Sequence, residues 1–211
     1  MGPPPDLPPE EEAILGPHPA PRRRRDFAMG RASARAAIAR LQGIEAFREP
    51  LLRVRGRAPR WPAGVVGTIT HTEGMVAAAA AHADAYLGIG LDLERLPRVS
   101  PRLMRRVCRP EERAVLESLN ETTGRRALGA IFSAKESIFK ALNPATGVFL
   151  AFQDAELEAL PVAEGNEGPF TWRLHRSCGP ALPVGFKGKG KLAFRGDCVL
   201  TAVWVERPPE A

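Results

Sequence analysis

Asp92 and Glu94 stand two residues apart in the run Gly88-Ile89-Gly90-Leu91-Asp92-Leu93-Glu94. Residues at i and i+2 of a strand share a face, so the two carboxylates project together. Two hard oxygen ligands on one rigid strand suit Mg²⁺, which takes one or two carboxylates, waters and substrate phosphates. Gly90 lies on the same face and leaves room beside them, while Ile89, Leu91 and Leu93 point the other way, into a core. The same pattern equally reads as the polar face of a strand running into solvent.

A second stretch, Phe132 to Lys140, mixes bulky apolar residues with Lys135, Glu136 and Lys140. Read as a helix, Leu128, Ile131, Phe132, Ile138, Phe139 and Leu142 form one apolar arc. Glu136 and Lys140 share its edge, as site residues or as an i, i+4 surface pair worth a few tenths of a kcal/mol. Lys135 projects from within the arc, where an ammonium must snorkel outward or reach an anion. His71, between Thr70 and Thr72, sits at an expected strand end that suits a phosphate and equally suits an ordinary loop histidine. No phosphate-binding loop of the G-x-x-x-x-G-K-[ST] kind and no G-x-S-x-G nucleophile turn occurs.

The elements that position these residues follow from periodicity and turn signals. Residues 1–21, dense in proline and carrying Glu10-Glu11-Glu12, read as a flexible, surface-draped arm with no regular helix over Pro3–Pro9. Arg22-Arg23-Arg24-Arg25 leads into a helix over about Ala28–Gln42, stopped at Gly43. Strands are expected over Gly64–Thr70, Met75–His82 and Tyr86–Glu94; the alanine run in the second is formally a good helix too. Two short helices follow, Pro101–Cys108 and Pro110–Leu119. The main helix is expected from about Arg125 to Leu142, between a break at Gly124 and a stop at Asn143-Pro144. Beyond Phe149 the pattern is β-like, with strands at Phe149–Glu158, Phe170–Arg176, Lys189–Arg195 and Cys198–Glu206 and a tight turn at Gly196-Asp197. A helix then three strands, and a helix then four, implies an α+β fold of two similar halves, residues 22–96 and 97–211.

The 211 residues suit one domain or one domain of two halves, and 44% hydrophobic content supports a core. The formal charge of +6 favours anionic partners: nucleic acid, phosphorylated small molecules or an acidic protein. Cys108, Cys178 and Cys198 are odd in number and widely spaced, which argues against a disulfide framework or zinc site and suits a reducing cytoplasm. No secretory signal or membrane-spanning run is visible. The arginine cluster at Arg22–Arg35 reads as a solvated basic face or as a nucleic-acid patch; a basic nucleic-acid-binding module is the alternative reading, though it gives no reason for Asp92, Glu94 and Glu136.

Four blocks taken together resemble the Sfp-type 4′-phosphopantetheinyl transferases, especially the branch that includes the enterobactin synthase component D. They are Arg22–Arg35 with Asp26-Phe27 and Gly30-Arg31; Gly56-Arg57-Ala58-Pro59 with Trp61-Pro62 and Val66–His71; Gly88–Glu94; and Phe132–Lys140. The usual S-x-S-H reads Thr68-Ile69-Thr70-His71, and Phe132 stands where a tryptophan is usual. The resemblance implies two pseudo-symmetric halves, each a helix on a small, mainly antiparallel sheet, with coenzyme A in the cleft between them. It implies transfer of phosphopantetheine to a serine of an acidic apo carrier protein by a cytoplasmic monomer, with release of adenosine 3′,5′-bisphosphate. Asp92, Glu94 and Glu136 would ligate Mg²⁺, or Mn²⁺, and Glu136 would also be the base. Lys140 and His71 would contact phosphates, and Arg23, Arg31, Arg35 and Arg57, with Thr70 close by, would hold the 3′-phosphate and adenosine end. Lys135 is expected to reach the substrate phosphates.

Overall fold

The computed structural model describes residues 4–53, 58–159 and 165–208. The segment expected to be a flexible arm carries a helix, α1 (Pro9–Leu15). Pro9 stands at its first position, where a missing N–H costs nothing and φ is already helical. Glu11 of this helix is fully buried and Leu15 nearly so, so α1 is packed into the N-terminal half. Helix α2 (Pro21–Gln42) begins earlier than expected and takes in the whole arginine run. Arginine is a good helix former, and Pro21 again starts the helix. Gly43, at φ 67°, ends it in the left-handed conformation.

Strands β1 (Val65–Thr72) and β2 (Met75–His82) form an antiparallel hairpin closed by Glu73-Gly74, both at positive φ. The alanine run is a strand. Its small side chains let α2 lie close over the hairpin, with Ala34, Ile38, Leu51 and Val65 buried between them.

The second layer is a five-stranded antiparallel sheet in the order β3-β7-β6-β5-β4. Its strands are β3 (Tyr86–Arg95), β4 (Ala155–Ala159), β5 (Glu167–Leu174), β6 (Lys187–Arg195) and β7 (Cys198–Glu206). Two short helices, α3 (Met104–Val107) and α4 (Pro110–Glu117), precede the main helix α5 (Glu121–Thr146). That helix runs through Gly124 and past Pro144, longer than expected at both ends. The Asn120 side chain caps its start on the Thr123 N–H (2.9 Å), and left-handed Gly147 returns its N–H to the Asn143 carbonyl at the other end. Pro144 lies in the last turn, where the loss of one backbone bond is tolerated.

The fold is α+β, each helix lying on an antiparallel sheet, but the two sheets are unequal. β3, expected to close the first half, pairs along its length with C-terminal β7, with Asp92 opposite Thr201 and Glu94 opposite Val199. The hairpin is joined to it by side chains: Thr68 and Thr70 Oγ1 accept the N–H groups of Leu91 and Leu93, each at 3.1 Å.

The two faces of β3 differ from expectation in what they meet. Gly88, Gly90 and Asp92 form the buried face against α5, whereas Ile89, Leu91 and Leu93 are only half-buried. A Cβ at Gly88 or Gly90 would collide with the backbone carbonyls of Ala141 or Ser137. The glycines therefore make room for the helix backbone itself, which brings α5 within reach of Asp92.

Candidate active site

Asp92 is the fixed point of the site. Its Oδ1 accepts the Lys140 ammonium at 2.7 Å, and Lys140 also donates to the Leu91 carbonyl at 3.1 Å. The Thr70 hydroxyl lies 3.4 Å from the same carboxylate oxygen. Asp92 Oδ2 is buried with no hydrogen-bond partner. A buried carboxylate oxygen left bare costs free energy unless a cation or donor reaches it.

A polar seam anchors α5 at this crossing. The Ser133 hydroxyl donates to the Asp92 carbonyl (3.2 Å), and Ser133 and Ser137 both share hydrogen bonds with the Thr201 hydroxyl, at 2.9 and 2.7 Å. All three residues are fully buried. Ser133 and Ser137 stand one turn apart on α5, a small-polar i, i+4 pair that was the available sequence signal for this contact.

Glu136 projects beside this seam. Burial pushes its carboxyl above the ordinary range; Asp92 and Glu94 push it further, and Lys140 opposes them. Glu94 is likewise raised, first by burial and then by Asp92 and Glu73, against the Arg95 N–H it accepts at 2.9 Å and the charge of Arg98. Glu94 and Glu136 are thus both buried beside the charge of Asp92, a situation that a bound cation relieves. Their donor chemistry and the bare Asp92 oxygen fit a hard divalent ion, although among the described residues no three such groups already close on one point as a metal cage.

Beside the crossing, a cleft of about 870 Å³ opens between α2, the end of β1 and Arg98. Arg23, Arg31 and His71 line it, as do Arg53, Arg98 and Asp26, which sequence reasoning did not single out as site residues. Asp26 is buried and lies 3.8 Å from Arg22 and 3.7 Å from His71. The three carboxylates do not line this cleft; the link to them runs through Arg98 and Glu73, which do line it and act on Glu94.

Other expected site residues are placed elsewhere. Lys135 does not line the cleft. Its ammonium is buried beneath α4, donating to Glu112 at 2.6 Å and to the Val107 carbonyl at 2.8 Å. Burial holds it below the ordinary lysine value, with Glu112 opposing. Arg35 pairs with buried Glu11 at 2.7 Å and is not a cleft residue. Thr70 is buried between the strands, where its hydroxyl serves Leu93 and Asp92. Lys140 is joined to Asp92, and Arg57 lies outside the described residues.

Comparison with known proteins identifies the family. Residues 10–81 match the family model described as the 4′-phosphopantetheinyl transferase N-terminal domain, and residues 88–177 match that of the 4′-phosphopantetheinyl transferase superfamily. The chain is 38% identical over 208 residues to the 4′-phosphopantetheinyl transferase Svp of Streptomyces mobaraensis, covering 95% of this chain and 79% of that protein. It is 31% identical to PptT of Mycobacterium tuberculosis over 95% of this chain and 87% of that one. It is 36% identical to Npt of Nocardia iowensis over 71% of this chain and 64% of that one. A carboxylate and lysine crossing beside a basic cleft, carried on a chain matched along nearly its whole length, places this protein in the 4′-phosphopantetheinyl transferase family.

Proposed function

We propose that the protein transfers 4′-phosphopantetheine from coenzyme A to a serine of an acidic apo acyl or peptidyl carrier protein, and that it does so as a cytoplasmic monomer. The four sequence blocks favour the Sfp-type, enterobactin synthase component D-like branch. The observation that carries the reading is the meeting of Asp92, Glu136 and Lys140 where α5 crosses β3, beside a cleft lined by Arg23, Arg31, Arg53 and His71.

The cleft cations suit the phosphates of coenzyme A, with Arg31 and Arg23 on the adenosine side and His71 toward the pyrophosphate. Asp92, Glu94 and Glu136 would hold Mg²⁺ or Mn²⁺. When bound, such an ion supplies Lewis-acid stabilisation of the phosphate oxygens. Glu136 would also take the proton of the serine hydroxyl as general base. Lys140 neutralises charge developing on the leaving group. Positioning of the serine against the β-phosphorus supplies much of the remaining rate. The formal charge of +6 steers an acidic carrier toward the enzyme.

The test is incubation with coenzyme A, Mg²⁺ and a panel of apo carrier proteins, followed by intact-mass measurement. The expected result is the gain of one phosphopantetheine on at least one carrier and none without Mg²⁺. A panel with no gain of mass refutes the reading.

A further inference from the structure

An acid stands in the cleft where an anion is expected to bind. Glu73 lines it beside Arg98. Glu73 and Gly74 form the two-residue turn between β1 and β2, at φ 42° and 80°. Such turns favour asparagine, aspartate or glycine at the first position, because those residues tolerate the left-handed backbone. A glutamate is an unfavoured choice there.

Its carboxylate is held in place by cations. Arg95 donates to Glu73 Oε2 at 2.6 Å, and the other end of the same guanidinium is fixed by Asp197 in the turn between β6 and β7. Arg98 Nε approaches Glu73 Oε1 at 3.8 Å, a charge contact too long for a hydrogen bond. The Arg98 side chain is 54% exposed, and among the described residues Glu73 is the one acid paired with it. Asp197 does not line the cleft.

We infer that Glu73 is a resident competitor for Arg98. A phosphate entering the cleft takes this arginine from a carboxylate that the hairpin turn and Arg95 keep from swinging away. An anion at Arg98 therefore gains one cation and meets one fixed negative charge, so it is held less tightly than the arginine content of the cleft implies. The advantage is in turnover: extra affinity shared by substrate and product does not speed the chemical step, and it slows release of the bisphosphate product. The inference rests on the coenzyme A reading of this cleft.

The test measures calorimetric affinity for adenosine 3′,5′-bisphosphate with chelator present, and KM and kcat for coenzyme A with Mg²⁺. Glu73→Gln keeps the shape of the side chain and removes its charge. It is expected to bind the bisphosphate about fivefold more tightly than wild type, the size of one partly solvated ion pair. KM should fall by a similar factor with no rise in kcat. Asp197→Asn loosens the same Arg95 from outside the cleft and should leave affinity within about twofold of wild type. In an Arg98→Ala background, Glu73→Gln should change affinity by less than about twofold.

Unchanged or weaker binding in folded Glu73→Gln overturns the inference. Equal tightening in Asp197→Asn does so too, because it assigns the effect to a loosened hairpin, and equal tightening in the Arg98→Ala background assigns it to overall charge. If Glu73→Gln does not fold, Glu73→Asn, which suits the turn, carries the same comparison. If wild type binds neither coenzyme A nor the bisphosphate, the reading of the cleft fails instead.

Discussion

Helix α5 carries two lysine–carboxylate pairs, five residues apart, with different fates. Lys135 and Glu112 are 1% and 3% exposed at their side chains, and every atom of the pair is satisfied: Glu112 also accepts the N–H groups of Arg109 (2.7 Å) and Leu157 (2.8 Å). Lys140 and Asp92 are 27% and 10% exposed, and Asp92 keeps one bare oxygen. The first pair closes a structure, tying α4 and β4 to α5. The second leaves coordination capacity unfilled next to two more carboxylates and a basic cleft. Unsatisfied capacity at a protein's edge, rather than the presence of a charged pair, is what distinguishes a site from a brace.

The comparison is broken most decisively at the open pair's neighbour. Glu136→Ala is expected to lower transfer to a carrier by about a thousandfold or more while the protein stays folded, the scale of losing a charge-stabilising or proton-accepting group. Steady-state transfer and circular dichroism check this together, and a folded, active variant removes Glu136 from the mechanism.

Lys135→Ala should do the opposite. Leaving Glu112 buried and uncompensated is expected to cost roughly 3–5 kcal/mol in urea unfolding, with kcat of the remaining folded protein unchanged. A stable variant with lost activity would return Lys135 to the substrate.

The smallest effect concerns pH. In metal-free protein the carboxyls of Glu94 and Glu136 are held above the ordinary range, so the folded state keeps protons that the unfolded state releases. Their favourable contribution is complete below the ordinary carboxylate range and is lost as pH rises through the raised folded values. Glu136→Gln should therefore raise the melting temperature near neutral pH, by about 2–4 °C for each kcal/mol recovered, and leave it unchanged near pH 4. Calorimetry with chelator at both values checks this, and an equal gain at both refutes the coupling.

Much of this was legible beforehand where local rules suffice. The strand Cys198–Glu206 and the hairpin at Gly196-Asp197 follow from alternation and turn chemistry. So does the pairing of Asp92 with Glu94 on one strand. Helix ends were less legible, because Asn120 capping and the left-handed Gly147 outweigh the local penalties at Gly124 and Pro144.

Sequence by itself determined the chemistry available: which face of β3 carries Asp92, which edge of α5 carries Glu136 and Lys140, and an excess of arginine on α2. Only the tertiary structure decided which of these charges are braces. Periodicity reports the face of an element but not what covers it. Lys135 is a brace because Glu112 lies over it, and Arg35 because Glu11 does, each partner more than twenty residues away in the chain. Asp92 meets Lys140 because two glycines admit a helix backbone against β3. That contact depends on the absence of side chains, which no pattern of charges or apolar residues encodes.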